Sequence, residues 1–134
     1  SEVQRIVEVI ARSLAMEVCS IYIYDAGRQE LVLWATQGLD PSSIGQIKMH
    51  VGEGLTGIVV RKLQPVMAED ARAHPSYKYF PDSGEEKFHS FLGIPVVERG
   101  ELLGVMTVQT TRRRRFTPAE VRLCRALATP IGGI

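Results

Sequence analysis

Two cysteines and one tryptophan in 134 residues rule out several kinds of protein at once. Cys19 and Cys124 stand at opposite ends of the chain, too few and too far apart for a disulfide framework, and a zinc site needs clustered ligands. Both are expected to behave as small core residues. Charge of one sign is lacking too. Sixteen basic residues against fifteen acidic ones leave +1, so no whole-molecule field favours nucleic acid or an anionic membrane as a partner. No apolar run approaches the roughly 20 residues of a spanning helix, and no secretory leader is expected. The expected compartment is the cytoplasm.

What is present is an ordinary globular mixture, 45% hydrophobic and 23% charged, of a length that fits one domain. Val3, Ile6, Val7, Ile10 and Leu14 recur at helical spacing and make one apolar stripe. The pattern then turns to strands: 19–24, a turn at Asp25-Ala26-Gly27, and a partner over Glu30 to Thr36. Ile47, Met49 and Val51 alternate with polar residues as a third, half-buried strand. Gly52-Glu53-Gly54 breaks it and opens a short helix with Leu55, Ile58 and Val59 on one face, and Pro65 to Ala68 is briefly extended. Glu69 to Glu86 has no regular period, and a connection of that length is more often functional than idle. Phe88 to Arg99 and Glu101 to Thr110 form a second hairpin. Arg112 to Arg115 is a basic loop. Thr117-Pro118-Ala119-Glu120 is a capping box with proline in the first turn, and Val121, Cys124, Leu127, Ala128 and Ile131 stripe the helix that follows. Both ends run in or just past helical patterns, so the chain is expected to have been cut from a longer protein.

Strands joined by short turns imply an antiparallel sheet, and two terminal helices with apolar stripes can lie together on one side of it. The expected class is α+β, with five or six antiparallel strands, terminal helices on one face and a loop-covered pocket on the other. Alternation divides the first strand into Cys19, Ile21 and Ile23 against Ser20, Tyr22 and Tyr24. It divides the last into Gly104, Met106 and Val108 against Val105, Thr107 and Gln109. The face with hydroxyls and an amide either lines a cavity, where spaced polar groups orient a small ligand, or meets solvent.

The succession Ile23-Tyr24-Asp25, then Val51-Gly52-Glu53-Gly54-Leu55-Thr56-Gly57, then Phe91-Leu92-Gly93-Ile94-Pro95-Val96, then Leu103-Gly104-Val105-Met106 resembles the GAF domain over essentially the whole chain. Between Ala71 and Gln109, with His74 to Pro81, Glu85 to Pro95 and Leu102 to Val105, the chain is similar to one subgroup. That subgroup is the amino-terminal GAF domain of nitrogen-type enzyme I, a phosphoenolpyruvate–protein phosphotransferase. The resemblance implies a sensor of nitrogen status, with glutamine or 2-oxoglutarate as the signal. The sensor would control a catalytic portion whose phosphoenolpyruvate barrel and magnesium site lie outside these residues. No catalytic residue, metal or cofactor is therefore expected in this segment. Its expected partners are a small ligand, the downstream catalytic domains and a second copy of the chain. The alternatives are a sensor domain of a transcription activator or sensor kinase, and a module that only dimerises.

Seven residues are the candidate ligand contacts. Ser20, Tyr22, Phe91, Thr107 and Gln109 come from the strands, with Tyr22, Phe91, Thr107 and Gln109 expected to line a cavity under the loop from Glu69 to Glu86. Lys78 and Asp70 come from that loop, as the opposite charges an amino acid ligand needs, or as plain solvated residues. Gly52-Glu53-Gly54 before a helix offers amides to an anion or is simply a tight turn. His50, His74 and His89 read as ordinary polar residues, and the arginine run lacks the interleaved aromatics of a nucleic-acid surface. Some GAF relatives reduce free methionine sulfoxide or attach a bilin, and both chemistries need a thiol at the pocket. The loop has none, and Cys19 is assigned to the apolar face.

Overall fold

The computed structural model describes residues 1–78 and 88–133. In chain order the elements are α1 (Glu2–Ser13), β1 (Val18–Asp25), β2 (Glu30–Gln37), β3 (Lys48–His50), α2 (Gly54–Lys62), β4 (Val66–Ala68), β5 (Ser90–Glu98), β6 (Glu101–Thr110) and α3 (Pro118–Ala128). The six strands form one antiparallel sheet in the order β3-β2-β1-β6-β5-β4. The brief extended segment after Pro65 is thus the sixth strand, on the edge beside β5. The third strand is shorter than its alternation suggests, with ladder pairing only from Lys48 to His50.

The terminal helices share one face. Val3, Val7, Ile10 and Ala11 of α1, with Cys124 and Ala128 of α3, pack on Cys19, Ile21, Leu92, Ile94, Met106 and Val108. Residues of one strand parity supply this whole set from β1, β5 and β6. Local chemistry fixes where the helices stop and start. Ser1 caps α1 by accepting from the Gln4 amide at 3.2 Å. The Gln4 side chain then clamps Thr36 of β2, donating to its carbonyl at 2.8 Å and accepting from its amide at 3.1 Å. In α3 the Thr117 hydroxyl accepts from Glu120 N at 3.1 Å while the Glu120 carboxylate accepts from Thr117 N at 2.9 Å, so the capping box closes on both sides.

The opposite face is covered by α2, whose Ile58, Val59 and Val60 pack with Tyr22, Leu31, Leu33, Met49 and Val105. A bulge between β1 and β2 moves the pairing from Ile21↔Ala35 to Tyr22↔Leu33. It leaves Trp34 as the extra residue, half exposed, and puts Leu33 and Ala35 on opposite faces. Gly104 sits where β6 passes closest to β1, and a Cβ there would fall on the carbonyl oxygen of Tyr22. Gly93 makes room for α2, since a Cβ would come within 2.7 Å of Val59 Cγ2.

Candidate functional site

Register places the polar residues of the inner face. Val18 pairs with Gln109 and Ser20 with Thr107 across β1 and β6, and Phe91 and Gly93 of β5 lie opposite Gln109 and Thr107. All these side chains point toward α2 and away from the terminal helices. Helix α2 covers the middle of the face. The part left open lies under its N-terminus, between β5, β6 and the segment after β4.

A cavity occupies that corner. Among the described residues its apolar wall is Met49, Leu55, Ala71, Tyr77 and Phe91, and its polar lining is Thr56, Lys78 and Gln109, with Gly54 at the helix start. The space accessible to water is about 20 Å³, room for roughly one molecule. Three of the seven expected contacts, Lys78, Phe91 and Gln109, are brought together here. Four are not among the lining. Ser20 is fully buried and its hydroxyl is paired with Thr36 at 2.8 Å. Tyr22 is in the core beneath α2. Thr107 lies one ladder position deeper than Gln109, where Val59 and Gly93 close the space. Asp70 is half-buried and precedes the short 3-10 turn Ala71–Ala73. The expectation that Tyr22 and Thr107 line the cavity is therefore corrected: α2 reaches farther over the sheet than its short apolar pattern indicates. Of the expected lid from Glu69 to Glu86, residues 79–86 lie outside the described residues.

Polar groups without partners set this corner apart. Gln109 is 5% exposed, yet its amide makes no side-chain hydrogen bond among the described residues. Buried amides are normally paired, since an unmet one costs about 1–3 kcal/mol. The Thr56 hydroxyl, 7% exposed, is in the same condition. One layer deeper, Thr107 Oγ1 is buried without a partner. The amides of Gly54, Leu55 and Thr56 open α2 and have no intrahelical acceptor, and Glu53 at the N-cap gives no side-chain cap. Its carboxylate turns instead to Lys78 of the cavity lining, which donates to it at 2.8 Å. Sequence reasoning missed Thr56. The signal was its position as the third residue of a helix opened by Gly-Glu-Gly, where a hydroxyl sits beside the free amides.

Elsewhere the chemistry is occupied or inert. Cys19 and Cys124 are buried on the terminal-helix side, away from the cavity. Burial pushes both thiols up, Cys124 to about 11 and Cys19 further, so neither is a thiolate near neutrality. His50 is exposed, His74 Nδ1 accepts from Ser76 N at 3.1 Å, and His89 Nε2 accepts from Arg72 at 2.9 Å. In the arginine run, Arg114 pairs with Glu120 and lies over the Phe116 ring at 5.1 Å. No group of three metal-ligating side chains is found among the described residues, and none of the described helices is long and apolar enough to cross a membrane.

Comparison with known proteins adds four findings. The sequence model of the GAF domain family matches residues 2–134. The phosphoenolpyruvate-dependent phosphotransferase system protein of Escherichia coli is 37% identical over 125 residues, 93% of this chain and 17% of that protein. The solved GAF domain of a phosphoenolpyruvate-protein phosphotransferase from Coxiella burnetii superposes with a TM-score of 0.91 at 38% identity, covering 98% of this chain and 78% of that one. A Nif-specific regulatory protein of Azorhizobium caulinodans is 29% identical over 135 residues, 95% of this chain and 22% of that protein. The chain thus spans about a sixth to a fifth of the length of the curated relatives it matches.

Proposed function

The chain belongs to the GAF domain family, and from that premise we propose that it is the small-molecule-sensing domain of a phosphoenolpyruvate–protein phosphotransferase. In this reading it catalyses nothing itself and controls phosphoryl transfer by a catalytic portion elsewhere in the protein. One observation carries the sensing part. Gln109 is buried at the edge of a cavity with its amide unmet, beside Thr56 and the open first turn of α2. Polar groups left unpaired inside an apolar pocket are what a bound ligand would satisfy. Glutamine and 2-oxoglutarate are the first ligands to try, because relatives at 37% and 38% identity are phosphotransferase proteins and the resemblance to that subgroup implies these signals. Likeness to the Nif-specific regulatory protein favours a second reading, in which the same sensor feeds a transcription activator.

The same geometry supports one output route. Ser90, fully buried at the start of β5, has its hydroxyl proton within reach of three carbonyl oxygens, Glu69 at 2.9 Å, Arg112 at 3.0 Å and Arg114 at 3.1 Å, and Glu69 begins the segment that runs to the cavity lining. The same oxygen accepts from Arg114 N at 2.7 Å, in the turn that leads into α3. A ligand that reorders residues after Glu69 would therefore bear on the entry to α3 through one hydroxyl. Val9 and Leu123, about half exposed on α1 and α3, leave apolar surface for pairing with a second copy. The test is a thermal-shift screen of the chain against amino acids, oxo acids and nucleotides. A ligand at about 100 times its dissociation constant adds roughly 2.7 kcal/mol of stability. No shift with any of these compounds would reject the sensing role.

A further inference from the structure

We propose that the Glu53–Lys78 ion pair is an internal occupant of an anion position, and that a ligand carboxylate must replace Glu53 to bind. The proposal rests on the sensing role above and specifies its chemistry. The groups that converge on the corner are mostly donors: the first-turn amides of α2, the Lys78 ammonium, and the amide NH₂ of Gln109 with the Thr56 hydroxyl farther in. A helix start with free amides favours negative charge, and here a second and independent feature points to a ligand, the buried and unpartnered Gln109. A carboxylate at the mouth with a hydrogen-bonding group on a short chain would meet both sets.

Glu53 stands in the way of that arrangement. As the residue before α2 it has the acceptor that such a helix start calls for, yet it makes no cap hydrogen bond. It holds Lys78 at 2.8 Å instead. The pair joins the N-cap of α2 to Lys78, which lines a cavity that has room for about one water. A ligand of about ten heavy atoms needs this cavity to widen. Its carboxylate would take over Lys78 as Glu53 swings to solvent, where with 30% of its side chain already exposed it has little to lose. A half-exposed ion pair is weak enough to exchange in this way. The contact therefore acts as a built-in competitor that excludes molecules without a carboxylate and sets the concentration at which an acid binds.

The test is calorimetric titration of wild type, Glu53→Gln, Lys78→Gln and the double variant. The probes are 2-oxoglutarate and glutamine, with glutaramide as an uncharged control, and a melt of each variant verifies folding. The expected result is binding of at least one acid, about two- to tenfold tighter in Glu53→Gln. Binding should weaken in Lys78→Gln, and the gain from Glu53→Gln should be mostly lost in that background, as coupled sites require. Acid binding that is unchanged or weaker in Glu53→Gln overturns the competitor while leaving the sensing role intact. Glutaramide binding as tightly as the acids overturns the carboxylate requirement. No binding by any probe to any variant overturns both the competitor and the candidate ligands.

Discussion

Replacing Gln109 by methionine should make the protein more stable and a poorer receptor. Methionine has nearly the volume of glutamine and no polar end group, so it can fill the same corner without a cavity or a clash. In the native protein the residue is 5% exposed, and its amide makes no side-chain hydrogen bond among the described residues. The full cost of such a group is about 1–3 kcal/mol. The adjoining space, about 20 Å³, can admit about one water that recovers part of that cost. The lower end therefore applies, a gain of about 1 kcal/mol, which for a chain of this length raises Tm by roughly 3–5 °C. In the binding arm, losing two hydrogen bonds of about 1 kcal/mol each weakens a ligand roughly 30-fold. Thermal melts with and without ligand read both effects in one experiment. The companion Thr107→Val removes the deeper unmet hydroxyl. It should also stabilise, with binding retained because Thr107 is not in the lining. A fall in Tm on Gln109→Met would mean that the amide is satisfied in the native state, and the argument for a ligand built on it would fail.

Other perturbations test the scaffold and the output. Thr117→Ala should cost about 1 kcal/mol through loss of the α3 cap, read by denaturant melts. Glu120 is held below the usual carboxylate range by the Thr117 backbone hydrogen bond and by Arg114. The stability it confers should therefore be complete above its unfolded value of about 4.3 and fade as pH falls toward the lower folded one. The gap between wild type and Glu120→Gln should be flat from pH 6 to 8 and close in acid, and a gap that widens in acid would contradict this sign. Gly104→Ala should destabilise by about 3 kcal/mol or more, because the added methyl meets the Tyr22 carbonyl, which a paired strand cannot withdraw. In Ser90→Ala, hydrogen exchange should show that a ligand still protects residues after Glu69 while its effect on α3 is lost. Equal protection of α3 in variant and wild type would place the coupling elsewhere.

The fold was legible wherever a local signal and a burial pattern agreed. The stripe from Val3 to Leu14, the capping box at Thr117 and the alternation in β1 and β6 each fixed an element and its inward face, because periodicity reports burial directly. The parity of β2 was not legible. Leu31, Leu33 and Ala35 alternate as one set along the chain, but the extra residue at Trp34 sends Ala35 to the terminal helices and Leu33 to α2. A bulge is a property of two paired strands, and only one of them carries the extra residue. The strand Val66–Ala68 was visible only as an extended stretch, since three residues carry too little period to name a partner.

The site was half legible for a related reason. Which strand face is polar can be read from alternation, and Phe91 and Gln109 follow from it. How far α2 extends over that face cannot, because it depends on Gly93 letting Val59 descend onto β5. That single contact separates Gln109, left beside an open corner, from Thr107, sealed one ladder position away. The pairing of Glu53 with Lys78 joins residues 25 positions apart, with α2 and β4 between them, so nothing in either local pattern announces it. The Ser90 junction is hidden more deeply still. A serine beginning a strand reads as a polar end residue, yet here it is fully buried and bonded to two segments that the sheet brings together from opposite directions. Residues that join elements owe their roles to tertiary placement. In this domain the proposed binding corner and its proposed connection to α3 both depend on such residues, whereas the strands and helices that hold them are set by patterns a reader can find in the chain.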